Sequence, residues 1–410
     1  MTRQPVNLVH VSLHFGNQPR KVGRLALAHR RIYFEYDAAF LKSGLDISPF
    51  KLPVKAGAAL CEDMAFEGLF GVFNDSLPDG WGRLLLDRQL RKHGIAPERL
   101  TPLDRLTHVG MHGMGALAYE PDTSETASHP AAINLDRLAA EAGEALEGEA
   151  GHVFAELLGL SGSSAGARPK VMVGVSRNRK HLIHGQQRLP DDHAHWMVKF
   201  ASSADAKDAG AIEYAYSLMA RAAGLDMMPT HLFPTQKGAG YFGVERFDRQ
   251  GEKRKHMHTV SGLIHADHRL PSLDYEQIMR ATLSLTRNMR ELEKILALAS
   301  FNVFAHNRDD HAKNFSFLMD EKGDWNVAPA YDLTFSGGPG GEHSTTIMGE
   351  GRNPGKDHLI RLTEKFSLPA RRAKQIIDGV EEAIHQWPAF AEQAGVGKAS
   401  KKLISDVIAG

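Results

Sequence analysis

The sequence predicts an α+β fold of two lobes, with a β-rich N-terminal part and an all-helical C-terminal lobe. Residues 6–36 alternate apolar and polar positions around a Gly-Asn-Gln-Pro turn, which is the pattern of a β-hairpin. Beyond residue 270, apolar positions recur with helical periodicity on both sides of a polar loop at 306–332. A chain of 410 residues exceeds what one simple core supports, so two or three subdomains are expected.

The composition limits the class of protein. Charged residues make up 24% and hydrophobic residues 42% of the chain, as in ordinary globular proteins. Lys and Arg together number 49, as do Asp and Glu, so no net positive charge supports direct binding to nucleic acid. Cys61 is the single cysteine, which fits a reducing cytosol. The sequence has neither a signal-type apolar block nor a stretch of about 20 apolar residues, which predicts a cytoplasmic protein without membrane contact.

The first half of the chain alternates turns, helices and strands. Turn residues at 74–80 lead into a helix that begins near Trp81 and ends at Gly94, and a polar, proline-bearing connection follows at 120–133. Residues 159–175 form a loop of small residues that runs into an alternating strand. Glycines let the backbone approach a ligand, and successive N–H groups can bind phosphate oxygens. The loop matches neither a Walker motif nor Gly-x-Gly-x-x-Gly, so a flexible turn is the alternative.

Lys199 lies in the middle of an apolar strand at 195–200. Burial of an unpaired ammonium group is costly, so this position predicts an anionic partner, such as nucleotide phosphates or Glu213 at the start of the next helix. The alternative is an edge-strand lysine whose amino group reaches water. Residues 240–249 are then predicted to form a strand that opens into a connector.

The loop at 306–332 carries the densest group of polar side chains. Asp309 and Asn314 have the spacing of a protein-kinase catalytic loop, and Asp332 follows a hairpin-like stretch. Two carboxylates and an amide that meet at one point favour Mg²⁺, which prefers oxygen ligands, so we predict an ATP- and Mg²⁺-dependent phosphoryl-transfer site. One alternative is a capped structural loop. Another is a zinc or dinuclear metal hydrolase that uses His306, His311 and the two adjacent aspartates.

The serial order of these features is that of a two-lobed protein kinase, and the sequence resembles the HipA family of toxin kinases from bacterial toxin–antitoxin modules. The resemblance extends over essentially the whole chain and predicts an N-terminal subdomain at 1–120, a kinase-like N-lobe at 121–250 and a helical C-lobe at 251–410. The segments that carry it are residues 74–82 (NDSLPDGWG), 163–167 (SSAGA), 244–249 (VERFDR), 309–316 (DDHAKNFS) and 331–332 (YD).

The resemblance implies a role for each matching position. Asp309 would orient or deprotonate the acceptor hydroxyl, while Asn314 and Asp332 would hold Mg²⁺. Lys199 would bind the phosphates of ATP, and the backbone at Glu245 and Phe247 would meet the adenine. The nucleotide-binding residues predicted on this basis are Ser163, Ser164, Ala165, Gly166, Ala167, Lys199, Glu245, Phe247, His311 and Lys313.

The resemblance also implies a biological context. HipA-like kinases phosphorylate an aminoacyl-tRNA synthetase, of which the glutamyl enzyme is the best guess, and they autophosphorylate a loop serine that here is Ser163, with Ser164 as the alternative. A HipB-like helix-turn-helix antitoxin would be the partner and would supply the DNA contacts. The alternative functions are a kinase-like co-repressor without strong catalysis and a metal-dependent phosphohydrolase or nuclease.

Overall fold

The chain forms two compact units in a computed structural model that describes residues 5–16, 18–124, 132–148, 154–162, 166–185 and 188–408. The first unit comprises Met1–Ala204, Val244–His258 and Leu318–Asp324. The second comprises Asp205–Gly243, Thr259–Phe317 and Trp325–Gly410. The chain thus passes between the units several times. The domain boundaries at 120 and 250 stay predictions.

Strands and helices alternate along the chain. In chain order, strands β1–β17 of the described residues are Leu8–Leu13, Arg20–Ala28, Arg31–Tyr36, Ala58–Leu60, Leu117–Glu120, Lys170–Ser176, Leu182–His184, His193–Lys199, Thr230–Phe233, Tyr241–Glu245, Arg249–Gln250, Lys253–Arg254, His256–Thr259, Leu273–Asp274, Ser316–Met319, Trp325–Val327 and Thr345–Thr346. Helices α1–α13 of the same residues are Gly71–Asn74, Gly80–Lys92, Pro102–Val109, Leu135–Glu147, Phe154–Ser161, Ala209–Ala222, Val260–Ile264, Tyr275–Thr286, Met289–Phe304, Lys356–Lys365, Ala370–His385, Trp387–Gln393 and Lys398–Ile408.

The predicted mixture of a strand-rich first part and a mostly helical last part is confirmed. Two details differ from the pattern. The region after residue 251 also contains short strands, among them β14 and β17, which pair in parallel. Residues 159–161, predicted to be part of a glycine-rich loop, form the last turn of α5.

The first unit contains an antiparallel sheet with the strand order β4-β3-β2-β1-β5. Its first strand shows why the alternating sequence predicted a strand, since Val9, Val11 and Leu13 are buried while their neighbours face outward. Gly23 in β2 allows the close approach of β3, because a Cβ atom there would lie 2.3 Å from the backbone oxygen of Glu35. The sheet therefore forms from residues before 121.

A second group of strands in the first unit carries residues predicted to bind nucleotide. Strand β6 pairs with β7 on one side and with β8 on the other, both antiparallel. Every residue of β6 is buried, as expected of a central strand. Strand β8 ends at Lys199, so the predicted phosphate-binding lysine lies at the end of a strand that is fixed by its neighbour.

The imidazole of His256 is buried in the first unit, and its Nε2 lies 2.9 Å from the backbone oxygen of Ile47. Burial lowers the pKa of His256 to about 4, and the nearby His258 contributes in the same direction. A group that is neutral in the folded protein and protonated in the unfolded chain links stability to pH.

We therefore expect the free energy of unfolding to fall as the pH decreases from 6.5 to about 4. In this interval the unfolded chain binds the proton of His256 more tightly than the folded protein does. The loss for this one residue amounts to about 3 kcal/mol and stays constant at lower pH. The free energy of unfolding is measured in urea at a series of pH values. It should change less with pH for His256→Gln, whose amide can still donate to Ile47. An equal slope in the two proteins would contradict this origin.

The second unit is built around α9. This helix is buried along most of its length, and α6, α8 and α11 contribute to the same core. The segment 275–304 forms two helices, because Arg287 adopts the left-handed conformation and ends α8 while Asn288 caps α9. The phenol of Tyr216 donates a 2.7 Å hydrogen bond to the backbone oxygen of Ala305, at the end of α9. The start of the predicted catalytic loop is therefore fixed by the core.

None of the helices that the structure describes combines the length and apolar character needed to cross a bilayer.

Candidate active site

The predicted catalytic loop begins where α9 ends. Asp309 is exposed, and the side-chain amide of Asn314 donates a 2.6 Å hydrogen bond to the backbone oxygen of Asp309. The amide nitrogen of Asn314 is used in this way, and its Oδ1 is an acceptor. The loop thus contains a carboxylate and an amide oxygen five residues apart.

Asp310, the neighbour of Asp309, is completely buried. Its Oδ2 accepts hydrogen bonds from the phenol of Tyr275 at 3.2 Å and from Nδ1 of His343 at 3.1 Å, and its Oδ1 accepts from the backbone N–H of Thr345 at 3.2 Å. A carboxylate with this set of donors holds the loop in place and is unavailable as a metal ligand. This counts against the alternative metal hydrolase, which needs both adjacent aspartates.

A chain of buried polar contacts extends from Asp310 into α9. Asn302 donates to the phenol oxygen of Tyr275 at 2.8 Å, and Asn307 donates to the side-chain oxygen of Asn302 at 2.9 Å. Burial raises the pKa of Tyr275, so the phenol keeps its proton and donates a hydrogen bond to Asp310. The loop is consequently fixed from the helix side as well as from the side of His343.

The glycine-rich segment 336–356, whose role the sequence left open, forms hydrogen bonds with the predicted catalytic loop. Besides the contacts of His343 and Thr345 with Asp310, the backbone N–H of Ser344 donates to the oxygen of Arg308 at 3.0 Å. The guanidinium of Arg308 in turn donates to the backbone oxygen of Arg352 at 3.0 Å. The segment therefore supports the predicted catalytic loop.

Asp332 lies in a stretch that is tied to the same loop. The phenol of Tyr331 donates to the backbone oxygen of Lys313 at 2.6 Å and lies 2.5 Å from the hydroxyl of Ser316. Asp332 itself has a φ of +57°, a conformation that costs free energy for a residue with a side chain. Strain of this kind persists where the surrounding contacts impose it, and it often accompanies function.

The donors predicted to hold magnesium are compatible with that ion. Asn314 offers an amide oxygen and Asp332 a carboxylate, and both are oxygen ligands of the type that Mg²⁺ binds. His311 and Lys313, predicted to contact the nucleotide, lie in the same loop, and Nδ1 of His311 is buried without a hydrogen-bond partner among the described residues. The structure thus leaves a buried imidazole nitrogen available next to the predicted metal ligands.

The first unit contains the remaining predicted residues. Lys199 on β8 stands directly opposite Lys170 on β6, so the two side chains leave the same face of the sheet. Lys170 was not predicted as a site residue, and its position opposite Lys199 follows only from the pairing of the two strands.

The segment 244–249, predicted to bind adenine, contains a buried ion cluster. Asp248 accepts hydrogen bonds from Arg246 at 2.9 and 2.7 Å and from Arg249 at 2.6 Å. Its Oδ2 also accepts from the backbone N–H of Gly115 at 2.7 Å. Arg249 donates to the backbone oxygens of Gly113 and Gly115 at 2.8 and 2.7 Å. We call Gly113, Gly115, Arg246, Asp248 and Arg249 the connector clasp. Phe247 lies between two of its members in the chain, and Glu245 directly precedes the first arginine.

The charge state of Asp248 in the connector clasp follows from its electrostatics. Burial acts to raise the pKa of Asp248, but the guanidinium groups of Arg246 and Arg249 outweigh this effect and hold the pKa well below its usual range. The carboxylate is therefore ionised at neutral pH. Sequence reasoning missed this role because the partners at 113–115 are more than 130 residues away.

Asp75 of the segment 74–82 belongs to a buried Ser–His–Asp arrangement. Nε2 of His258 lies 3.0 Å from the hydroxyl of Ser48, and its Nδ1 lies 2.6 Å from the carboxylate of Asp75. The distances are those of a nucleophilic triad, but Ser48 and His258 are only 1% and 0% exposed, so no substrate reaches the hydroxyl. The contact instead joins three distant parts of the first unit.

Part of the predicted phosphate loop lies outside the described residues, namely Ser163, Ser164 and Ala165. Gly166 and Ala167 are described, and the backbone N–H of Gly166 donates to the carboxylate of Asp79 at 2.5 Å. That N–H therefore already has an anionic partner within the protein. Asp79 was predicted only as a turn residue.

Comparisons with known proteins agree with the sequence motifs. The sequence profile of the HipA-like C-terminal domain matches residues 162–387, and that of the HipA N-terminal domain matches residues 15–120. Two curated relatives from Sinorhizobium fredii, each named "putative kinase", are Y4mE and Y4dM, with 27% and 24% identity over 44% and 52% of this chain. The matches span only 39% and 55% of the length of those two proteins.

A solved structure shows the same fold over nearly the whole chain. It is a chain of the Shewanella oneidensis MR-1 toxin–antitoxin complex of HipA, HipB and operator DNA. The TM-score is 0.69 at 16% sequence identity, and the match covers 97% of this chain and 94% of the other. The predicted fold class is thereby confirmed.

Proposed function

The chain belongs to the HipA family, and from this we propose that it is a protein kinase that transfers the γ-phosphoryl group of ATP to a serine or threonine hydroxyl. The observation that carries the proposal is the hydrogen bond from the side-chain amide of Asn314 to the backbone oxygen of Asp309, which holds a carboxylate-bearing and an amide-bearing residue together in one loop. These are the two functional groups that a kinase catalytic loop supplies.

In the proposed reaction, Asp309 accepts a hydrogen bond from the acceptor hydroxyl and takes up its proton. The hydroxyl oxygen forms a bond to the γ-phosphorus as the bond from that phosphorus to the β–γ bridging oxygen breaks, and ADP leaves. When bound, Mg²⁺ neutralises phosphate charge, and Asn314 and Asp332 would hold it. The support for this assignment is the exposure of Asp309 beside a fully buried Asp310.

The opposed lysines of β6 and β8 support nucleotide binding by the first unit. Lys199 is proposed to bind the α and β phosphates, and Lys170 adds a second positive charge on the same face. The backbone of Glu245 and Phe247 is proposed to meet the adenine. The connector clasp supports this role because it fixes the backbone on both sides of Phe247.

The proposed biological role is that of a toxin in a two-protein module. We propose a HipB-like helix-turn-helix antitoxin as the partner, since the solved chain with this fold belongs to a complex of HipA, HipB and operator DNA. Contact with DNA would come through the antitoxin, which agrees with equal numbers of basic and acidic residues in this chain. An aminoacyl-tRNA synthetase is the proposed substrate, with the glutamyl enzyme as the first candidate.

One assay tests the kinase proposal directly. The purified protein is incubated with γ-labelled ATP, Mg²⁺ and a cell lysate, and the labelled bands are identified by mass spectrometry. Labelling of a synthetase supports the full proposal, whereas labelling of another protein changes the substrate alone. If no protein is labelled and the chain still strengthens operator binding by its antitoxin, the co-repressor alternative replaces the kinase.

Ser163 is proposed as the site of inactivating autophosphorylation. A phosphoserine carries close to two negative charges, and repulsion by the phosphates of ATP would displace the loop that carries it. After incubation with ATP and Mg²⁺, we expect a phosphate on Ser163 in the mass spectrum of the wild-type protein and none on the same peptide of Ser163→Ala. Phosphate on Ser164 in both proteins would move the assignment by one residue.

A further inference from the structure

The inference concerns the start of α2, in the segment 78–81 (PDGW). Asp79 stands at the N-cap of this helix, where an Asp side chain normally accepts a hydrogen bond from the first turn. It makes no such bond, and its carboxylate instead accepts the backbone N–H of Gly166 at 2.5 Å. The carboxylate of Asp79 thus binds a loop residue 87 positions away instead of capping its own helix.

Two further contacts hold the same place. The backbone N–H of Trp81 donates to the oxygen of Gly166 at 3.0 Å, and the indole N–H of Trp81 donates to the backbone oxygen of Lys170 at 3.2 Å. Both the N–H and the C=O of Gly166 are therefore bound by residues of one turn. Trp81 is buried, which makes these contacts part of the packed structure.

The backbones approach so closely that a side chain would not fit between them. Gly80 has a φ of +39°, and a Cβ atom on it would lie 2.6 Å from the oxygen of Gly166 and 2.8 Å from the Cα of Ala167. Glycine at this position is what allows the turn to reach the loop. The end of the loop that leads into β6 is consequently fixed from outside.

We propose that Asp79 is a positioning residue for nucleotide binding, which fixes Gly166 and Ala167 next to Lys170 and Lys199 and so makes the N-terminal domain a part of the phosphate-binding site. The inference rests on the proposed kinase function. It differs from the view that Gly166 itself binds phosphate, because its N–H is held by the carboxylate of Asp79.

Two possible roles of the Asp79 carboxylate predict opposite changes in nucleotide affinity, which makes the inference testable. If Asp79 only occupied the place of a phosphate oxygen, its removal would free the N–H of Gly166 and strengthen nucleotide binding. If it positions the loop, its removal weakens binding. The two further contacts of Trp81 favour the second case, since a competitor for phosphate would not need them.

The experiment compares wild type, Asp79→Ala, Asp79→Asn and Asp63→Ala. Asp63 is an exposed turn residue of the same unit whose carboxylate accepts from the nearby backbone N–H of Ala65, so its variant serves as the matched control. Hydrogen exchange of the peptide that contains Gly166 is measured without nucleotide, and the affinity for a fluorescent ATP analogue with Mg²⁺ is measured by titration. Urea unfolding of each protein shows that it is folded.

For Asp79→Ala we expect faster exchange at Gly166 and about tenfold weaker nucleotide binding, the effect of one lost charge-assisted hydrogen bond. Asp79→Asn retains an acceptor oxygen and should recover part of the affinity, while Asp63→Ala should resemble wild type. Wild-type or tighter binding by Asp79→Ala would overturn the inference alone. Absence of nucleotide binding by the wild-type protein would overturn the proposed kinase function together with it.

Discussion

Asp309→Asn is expected to reduce phosphoryl transfer from ATP by about a hundred- to ten-thousand-fold, the usual contribution of a residue that accepts a proton in the transition state. The amide has the shape of the carboxylate but cannot take the proton. Asp309 is exposed and its backbone oxygen, which Asn314 binds, is unchanged by the substitution. The free energy of unfolding should therefore stay within about 0.5 kcal/mol of wild type.

The neighbouring residue provides the matched comparison. Asp310→Asn makes the same chemical change one position later, but here the carboxylate accepts from Tyr275, His343 and Thr345. We expect a loss of about 2 kcal/mol in the free energy of unfolding, because a buried amide cannot accept all three bonds without directing its own N–H groups at a donor. Both variants are measured by urea unfolding and by transfer of labelled phosphate. Transfer at the wild-type rate by Asp309→Asn would exclude Asp309 as the base.

Asp248→Asn is expected to lower the free energy of unfolding by about 3–5 kcal/mol. The substitution leaves the guanidinium groups of Arg246 and Arg249 buried without a negative charge, and their side chains are only 5% and 6% exposed. The two-state midpoint in urea at neutral pH is the measurement. The pH should be held above the range in which unfolded carboxylates titrate, since the low pKa of Asp248 contributes stability that is lost in acid.

Two controls test whether the loss of stability in Asp248→Asn comes from the buried ion cluster or would follow from any such substitution in the first unit. Asp191→Asn makes the same substitution at an exposed position and should change the midpoint little. The double variant Asp248→Asn with Arg249→Gln removes one of the stranded charges, so it should be less destabilised than the sum of the single variants. Strict additivity of the two substitutions would mean that the connector clasp is not a coupled ion cluster.

Local patterns in the sequence predicted local structure well. The alternation of residues 6–36 predicted a hairpin, and this segment forms the three central strands of the first sheet. The spacing of Asp309 and Asn314 predicted that the two residues act together in one loop, and the contact between them spans only five residues. Signals of this kind depend on neighbours in the chain and are visible without knowledge of the fold.

The roles that the sequence did not reveal depend on distant partners. Asp79 was assigned to a turn, and nothing near it indicates that its carboxylate binds Gly166. Asp248 was placed only in a strand and connector at 240–249, although its carboxylate binds Gly115. The supporting role of His343 likewise follows only from the return of its segment to Asp310. Aspartate is a residue type that turns and loops commonly contain, so the pattern around Asp79 and Asp248 does not distinguish a local from a long-range function.

The separation of the clasp partners also sets an order of events during protein synthesis. Gly115 leaves the ribosome 133 residues before Asp248, an interval on the order of ten seconds at ordinary elongation rates. The contact between Asp79 and Gly166 spans 87 residues and is available earlier. In a nascent chain the end of the predicted phosphate loop can thus be fixed before residues 246–249 have been synthesised, and the buried charges of the clasp meet the backbone groups of Gly113 and Gly115 only later.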